Sequence, residues 1–176
     1  MLTKSAILEQ MRLGNIIISP FNQAQLNPNS YNVTLNDELV VYDCKVLDAR
    51  KENPTKIIKI PEEGYVLQPN ILYLGRTNEY TETYNFVPGI DGRSSIGRLG
   101  IEIHRTAGFG DVGFKGTWTL EITAVMPVRI YPNEQIGQLY YEEITGKPTL
   151  YNGRYNNQIA ATPCRLHKDF EQENEK

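Results

Sequence analysis

Short β-rich runs, broken every few residues by Pro, Gly, Asn or Asp, set the strongest limit on what this chain can fold into. Ile16-Ile17-Ile18, Tyr31-Asn32-Val33-Thr34-Leu35, Leu39-Val40-Val41-Tyr42 and Lys56-Ile57-Ile58-Lys59-Ile60 follow one another with turn residues between them. β-branched and aromatic residues suit a pleated, half-buried surface, and the frequent breakers leave no room for the long crossover helices of a parallel sheet. The rhythm continues through Tyr65-Val66-Leu67, Ile71-Leu72-Tyr73-Leu74, Trp118 to Val125, Val128-Arg129-Ile130-Tyr131 and Gln138 to Tyr141. About ten short strands are predicted, in a mainly β jelly roll or closed barrel. The start of the chain differs. Ile7, Leu8, Met11 and Leu13 recur at near-helical spacing after Thr3, a good N-cap, and Gly14 ends the run, which predicts a short N-terminal helix.

The 176 residues are sized for one domain with a real core, expected to span 1–170, with the polar stretch EQENEK at 171–176 as a frayed tail. A formal net charge of −3 gives no basic footprint for a nucleic-acid polymer, whereas a free nucleotide needs only a few local cations. The N-terminus MLTKSAILEQMRLG carries charges through its apolar residues, unlike a secretory signal, and no apolar run approaches the roughly 20 residues of a membrane span. A cytoplasmic protein is expected. Cys44 and Cys164 stand far apart without a CxxC or His/Cys cluster, so neither a disulfide framework nor a zinc site is suggested. The eleven Tyr residues suit half-buried strands better than base-stacking platforms.

The densest functional grammar lies between Pro88 and Glu121. Arg93-Ser94-Ser95-Ile96-Gly97-Arg98 sets two guanidinium groups and two hydroxyls around a glycine, a composition suited to phosphate oxygens. It reads equally as a helix start with Ser94 or Ser95 as N-cap, and both can hold. Thr106 to Gly116 places four glycines around Asp111, Phe109 and Phe114: a ligand-hugging loop, or simply a hairpin connection. In the strand that follows, alternation puts Thr117, Thr119, Glu121 and Thr123 on one face. Glu121 there faces solvent, or faces a pocket as a candidate proton shuttle.

These motifs together resemble the dCTP deaminase branch of the trimeric dUTPase-like superfamily. GRSSIGRLG, HRTAGFGDVGFKG from His104, TLE ending at Glu121 and Ile136-Gly137-Gln138-Leu139 match its pattern in order and spacing. Asn29 to Leu35 is similar to its SYDV-type strand, and Tyr151, Arg154-Tyr155 and Gln158 to its C-terminal nucleotide lid. The resemblance covers nearly the whole chain and implies a dUTPase-like distorted jelly roll with one or two further short helices. It implies that Glu121 is the catalytic carboxylate, deprotonating a water for attack at cytosine C4 and passing the proton to the departing amine. Ser94 and Arg98 would position that water and stabilise developing charge. Ala107 would hold the water or the base edge through its backbone, with Thr119 and Leu120 beside the base, and Asp111 would contact the deoxyribose 3′-hydroxyl. Arg93, Ser95, Ile96, Gly97, Gln138, Tyr151, Arg154 and Gln158 would gather around the triphosphate, with Mg²⁺ held through its phosphates rather than by a protein metal site. Zinc is not implied, and the HxE and PCxxC signature of zinc deaminases is absent.

TAGFGDVGFKG resembles the bifunctional, dUMP-forming members more than the TAH form of deaminase-only ones, and Asp111 then also activates water against the α-phosphate. The resemblance further implies a homotrimer with sites at subunit interfaces, dCTP and dUTP as ligands, and dTTP as a feedback inhibitor acting near His104 and Arg105. Three residues depart from the pattern: Asn32 stands where Asp is usual, Arg154 where Lys is frequent, and Arg105 where the family often has a small or uncharged residue. A deaminase yielding dUTP, a plain dUTPase and a non-catalytic nucleotide-binding regulator are the competing readings. The glycine-rich C-terminal arm of dUTPases is absent, and Glu121 sits where dUTPases carry an apolar residue.

Overall fold

A computed structural model describes residues 1–171, in which antiparallel strands dominate. Helix α1 (Lys4–Arg12) starts where Thr3 accepts the Ala6 N–H on its Oγ1, and the chain leaves it through Leu13 and Gly14, whose φ is +76°. Ile7 is its fully buried anchor. The strands are β1 (Ile16–Ser19), β2 (Tyr31–Thr34), β3 (Glu38–Tyr42), β4 (Thr55–Lys59), β5 (Tyr65–Leu67), β6 (Tyr73–Thr83), β7 (Phe86–Gly92), β8 (Ile101–Glu102), β9 (Lys115–Ala124), β10 (Val128–Ile130) and β11 (Gln135–Glu143). Two further short helices are α2 (Ser94–Arg98) and α3 (His167–Glu171).

One sheet runs β4-β3-β6-β9-β8, with β1 also on β6, a second runs β2-β11-β7, and β5 pairs with β10. Tyr31, Val33 and Leu139 of the second sheet bury their side chains with Leu39, Leu120 and Ile122 of the first in one apolar core. Each fully buried Leu or Ile there contributes about 1.5–3 kcal/mol.

The longest strand is only partly visible in the sequence. β7, interrupted by Pro88, Gly89 and Gly92, has no counterpart in the sequence pattern, and the expected strand Ile71–Leu74 begins at Tyr73 and continues through RTNEYTET to Thr83. The reason is a row of buried polar side chains. Thr77, Glu79, Thr81 and Thr83 face inward, each at 4% exposure or less. Each has partners: Glu79 accepts from Thr34 N and Oγ1 and Gln25 Nε2, Thr81 Oγ1 accepts from the Trp118 indole N–H, and Thr83 Oγ1 donates to Phe86 O. Satisfied buried polar groups defeat a reading based on apolar alternation. The β6–β9 register slips between Arg76 and Tyr80, and there Thr77 Oγ1 accepts the Trp118 backbone N–H that the ladder would otherwise have used.

The N-cap position of α2 is Arg93, with no side-chain capping bond, so neither Ser94 nor Ser95 caps it; both are helical residues. Of the expected tail, Glu171 closes α3, and residues 172–176 lie outside the described residues.

Candidate active site

Strand β9 builds the floor of the site. From Trp118 onward its alternation is strict: Trp118, Leu120, Ile122 and Ala124 enter the core, while Thr119, Glu121 and Thr123 lie half-buried on the opposite face. Glu121 does not turn to open solvent. It lines a cavity of about 420 Å³ together with Ala107, Asp111, Thr119, Tyr151 and Gln158, against apolar walls from Leu72, Leu74 and Trp118. Glu121 Oε2 accepts the Arg105 backbone N–H at 2.8 Å, while Oε1 makes no hydrogen bond to the described residues.

The loop between β8 and β9 is at once a hairpin connection and a cavity wall. It is stitched to β7: Ile90 N–H donates to Gly108 O and Gly110 N–H to Pro88 O, both at 2.8 Å. A Cβ at Gly108 would lie 2.8 Å from Ile90 O and 3.0 Å from the His104 ring, so this loop path excludes a histidine at position 108. Phe109 is 70% exposed at the cavity rim, whereas Phe114 packs on Trp118 at 5.1 Å between centroids. His104 lies outside the cavity lining, its Nε2 3.3 Å from Asp91 Oδ1. The Arg105 guanidinium leans on Glu102 at 2.7 Å.

The C-terminal segment closes the cavity from above. Gln158 bridges Gly116 in parallel, its backbone O accepting Thr117 N–H and its Nε2 donating to Thr117 O, both at 2.9 Å. Gln158 Oε1 is buried without a partner among the described residues. Thr162 N–H donates to Thr119 Oγ1, and Cys164 N–H to Tyr42 Oη at 3.0 Å. Burial raises the Tyr42 hydroxyl above its usual range, and the Cys164 N–H opposes that. Tyr155 of the expected lid lines the cavity, as do Tyr42, Leu72 and Thr162, which nothing local in the sequence marks, because the C-terminal segment brings them together. Both cysteines are free and exposed, and Cys164 borders the cavity.

The remaining expected residues sit elsewhere. Ser94, Ser95, Gly97 and Arg98 are exposed on α2 and do not line the cavity, nor do Arg93 and Gln138. Gln138 pairs with Asp91 at the end of β7, and Arg93 Nη1 donates to Gln135 O at 3.1 Å, so these two stand near the α2 group. The side chains of Ile96 and Leu120 are buried in the core, so each meets a ligand only through its backbone. Arg154 pairs with Asp169 of α3 rather than entering the cavity. The cavity lining therefore holds two carboxylates and, among the described residues, no Lys or Arg. Among the described residues no three His, Cys, Asp or Glu side chains gather as a metal site, and no helix is long and apolar enough to cross a membrane.

This β-architecture is similar to that of 2′-deoxycytidine 5′-triphosphate deaminase from Agrobacterium tumefaciens, on which it superposes with TM-score 0.63 at 16% identity. The match covers 80% of this chain and spans 47% of the length of that one. At the level of sequence, residues 1–144 match the dCTP deaminase-like family model, and the chain belongs to that family. Two relatives named dCTP deaminase, dUMP-forming, are similar along most of their length. That of Clostridium beijerinckii is 56% identical over 158 residues, covering 89% of this chain and 91% of its own. That of Leptospira biflexa is 52% identical over 172 residues, covering 97% and 98%.

Proposed function

We propose that this protein converts dCTP and two waters into dUMP, ammonia and pyrophosphate. The observation that carries the reading is Glu121, a carboxylate on the floor of a nucleotide-sized, largely apolar cavity with one oxygen tied to Arg105 N–H and the other without a partner among the described residues. A carboxylate so held can take a proton from water as the oxygen attacks cytosine C4, then return it to the amine as the C4–N4 bond breaks and ammonia leaves. The relatives named dUMP-forming support the second hydrolysis, in which a water oxygen bonds the α-phosphorus and pyrophosphate departs. Asp111, exposed in the cavity wall, is the carboxylate placed to contact the sugar or to accept that water's proton. Gln158 Oε1, buried beside the cavity, lacks a donor among the described residues, and an N–H or O–H of the nucleotide would satisfy it.

A lining with two carboxylates and no cation does not hold a triphosphate by itself. Arg93, Ser94, Ser95, Arg98 and Gln138 supply that chemistry from a neighbouring copy, with the complete site at the interface of a homotrimer. The exposed Leu99, Val125 and Met126 near the end of α2 support burial of this face against another subunit. Mg²⁺ fits as a counter-ion carried on the triphosphate oxygens, the hard donors this cation favours. When bound it neutralises phosphate charge. dTTP occupies the same cavity as an inhibitor, with His104 and Arg105 on the loop that would respond, and the protein works in the cytoplasm.

Glu121→Gln tests the reading. The variant should bind dCTP in calorimetry while ammonia release falls by at least about a thousandfold, a loss in the range of a removed general base plus its charge. Ammonia release at the wild-type rate would sink the assignment.

A further inference from the structure

Outside the cavity, a directional polar network runs through the turn that precedes β2. Asn27 N–H donates to Ser30 O at 2.8 Å, closing the turn Asn27-Pro28-Asn29-Ser30. The side chains above it form a chain. Asn27 Nδ2 donates to Asn32 Oδ1 at 2.7 Å and to Ser30 Oγ at 3.1 Å. Asn32 Nδ2 donates to Gln135 Oε1 at 2.9 Å, and Ser30 Oγ lies 3.1 Å from Gln138 Oε1. The base of this network is firm, because Asn32 is buried and its carbonyl accepts Gln25 Nε2, which also donates to the buried Glu79.

The direction of these bonds has a consequence at Gln138. A serine hydroxyl owns one proton. Asn27 donates to the Ser30 oxygen, so the single Ser30 proton is directed at Gln138 Oε1. The Gln138 amide is thereby held in one of its two orientations, with the carbonyl toward Ser30 and the NH₂ group away from it. Among the described residues that NH₂ makes one bond, a long one of 3.5 Å to Gly92 O. Phosphate oxygens are acceptors only, so a flipped amide would set its carbonyl lone pairs against them, whereas this orientation offers two donors.

We propose that Ser30 is a positioning residue for nucleotide binding, acting through Gln138 by fixing its amide so that NH₂ faces the triphosphate. The proposal rests on the reading of Gln138 as a triphosphate contact. Asn27 sets the direction of the Ser30 proton, and Asn32 sets the direction of Asn27. An Asn at position 32 serves this chain with both an acceptor and a donor, which an ionised Asp could not.

The test is a double-mutant cycle on the full-length enzyme, measuring KM and kcat for dCTP in Ser30→Ala, Gln138→Ala and the double variant, with Ser30→Thr as the hydroxyl-retaining control. Ser30→Ala should raise KM about fivefold, the size of one hydrogen bond, with kcat within about twofold of wild type. Ser30→Thr should restore KM, and Ser30→Ala should add nothing once Gln138 is Ala. If Ser30→Ala loses the wild-type melting transition, Asn27→Asp takes its place in the cycle. There the carboxylate draws the Ser30 proton away from Gln138, with the same expected rise in KM. A Ser30 effect that persists in full in the Gln138→Ala background overturns the positioning role while leaving Gln138 as a contact. A wild-type KM in Gln138→Ala overturns both.

Discussion

The backbone N–H of Arg105 donates to Oε2 of Glu121 at 2.8 Å, joining a loop to the strand that carries the proposed catalytic carboxylate. The contact uses the main chain, so the identity of residue 105 matters mainly through what its side chain and backbone allow. The guanidinium reaches Glu102 at 2.7 Å, but both side chains are more than half exposed, and such a pair is worth only about 0–1 kcal/mol. Arg105→Ala should therefore lower kcat by no more than about fivefold. Arg105→Pro removes the donor and should lower it at least about tenfold. Equal kcat in the two variants, read from initial ammonia release, would show that the N–H does not matter.

Closure of the cavity depends on a close approach at Gly116. Its φ is +143°, and a Cβ there would lie 2.5 Å from Gln158 O. Gly116→Ala should displace the C-terminal segment, raising KM for dCTP and costing about 1–3 kcal/mol of stability. Limited proteolysis checks it: cleavage should move into residues 147–165 and be suppressed by saturating dCTP. An unchanged digestion pattern would mean that the segment is held by its other bonds.

Glu82 couples stability to pH. Burial alone would raise its pKa, yet hydrogen bonds from Tyr84 and Tyr80 and the Lys115 charge together hold it below the ordinary carboxylate value. A depressed folded-state pKa contributes stability that is present above the unfolded value of about 4.3 and is lost as pH falls through the folded one. The Tm of Glu82→Gln should lie below wild type at pH 7, and the gap should close as pH falls below about 4. A gap that is constant from pH 7 to pH 3 would assign the loss to packing instead.

Arg154 is engaged by Asp169, whose hydrogen bond raises the guanidinium pKa further. If the triphosphate draws on Arg154, Asp169 competes with it. Asp169→Asn should lower KM for dCTP about threefold, within the range of an exposed ion pair. A rise in KM would show that α3 docking supports the site.

Much of this molecule is legible in its residues, and the exceptions share a physical cause. The β-rhythm, the N-terminal helix with its Thr3 cap and Gly14 exit, and the face carrying Thr119, Glu121 and Thr123 follow from periodicity and turn chemistry. β6 is hidden because Thr77, Glu79, Thr81 and Thr83 bury polar atoms that find partners across the fold, which no local pattern announces, and β7 because Pro88, Gly89 and Gly92 read as strand breakers. The cavity is likewise nonlocal: Tyr42 and Cys164 meet across 122 positions of sequence, and Thr162 closes on Thr119 across 43. The composition of Arg93–Arg98 suits phosphate oxygens, but spacing along the sequence does not show that this segment stands outside the cavity that Glu121 lines.

The most direct test of the central claim is product analysis of the purified protein with Mg²⁺ and dCTP, and separately with dUTP, resolving nucleotides, ammonia and pyrophosphate by chromatography and phosphorus NMR. Equal amounts of dUMP, ammonia and pyrophosphate from dCTP are the predicted result. Accumulation of dUTP with ammonia would contradict the coupled second hydrolysis, and pyrophosphate from dUTP with dCTP untouched would contradict the role given to Glu121.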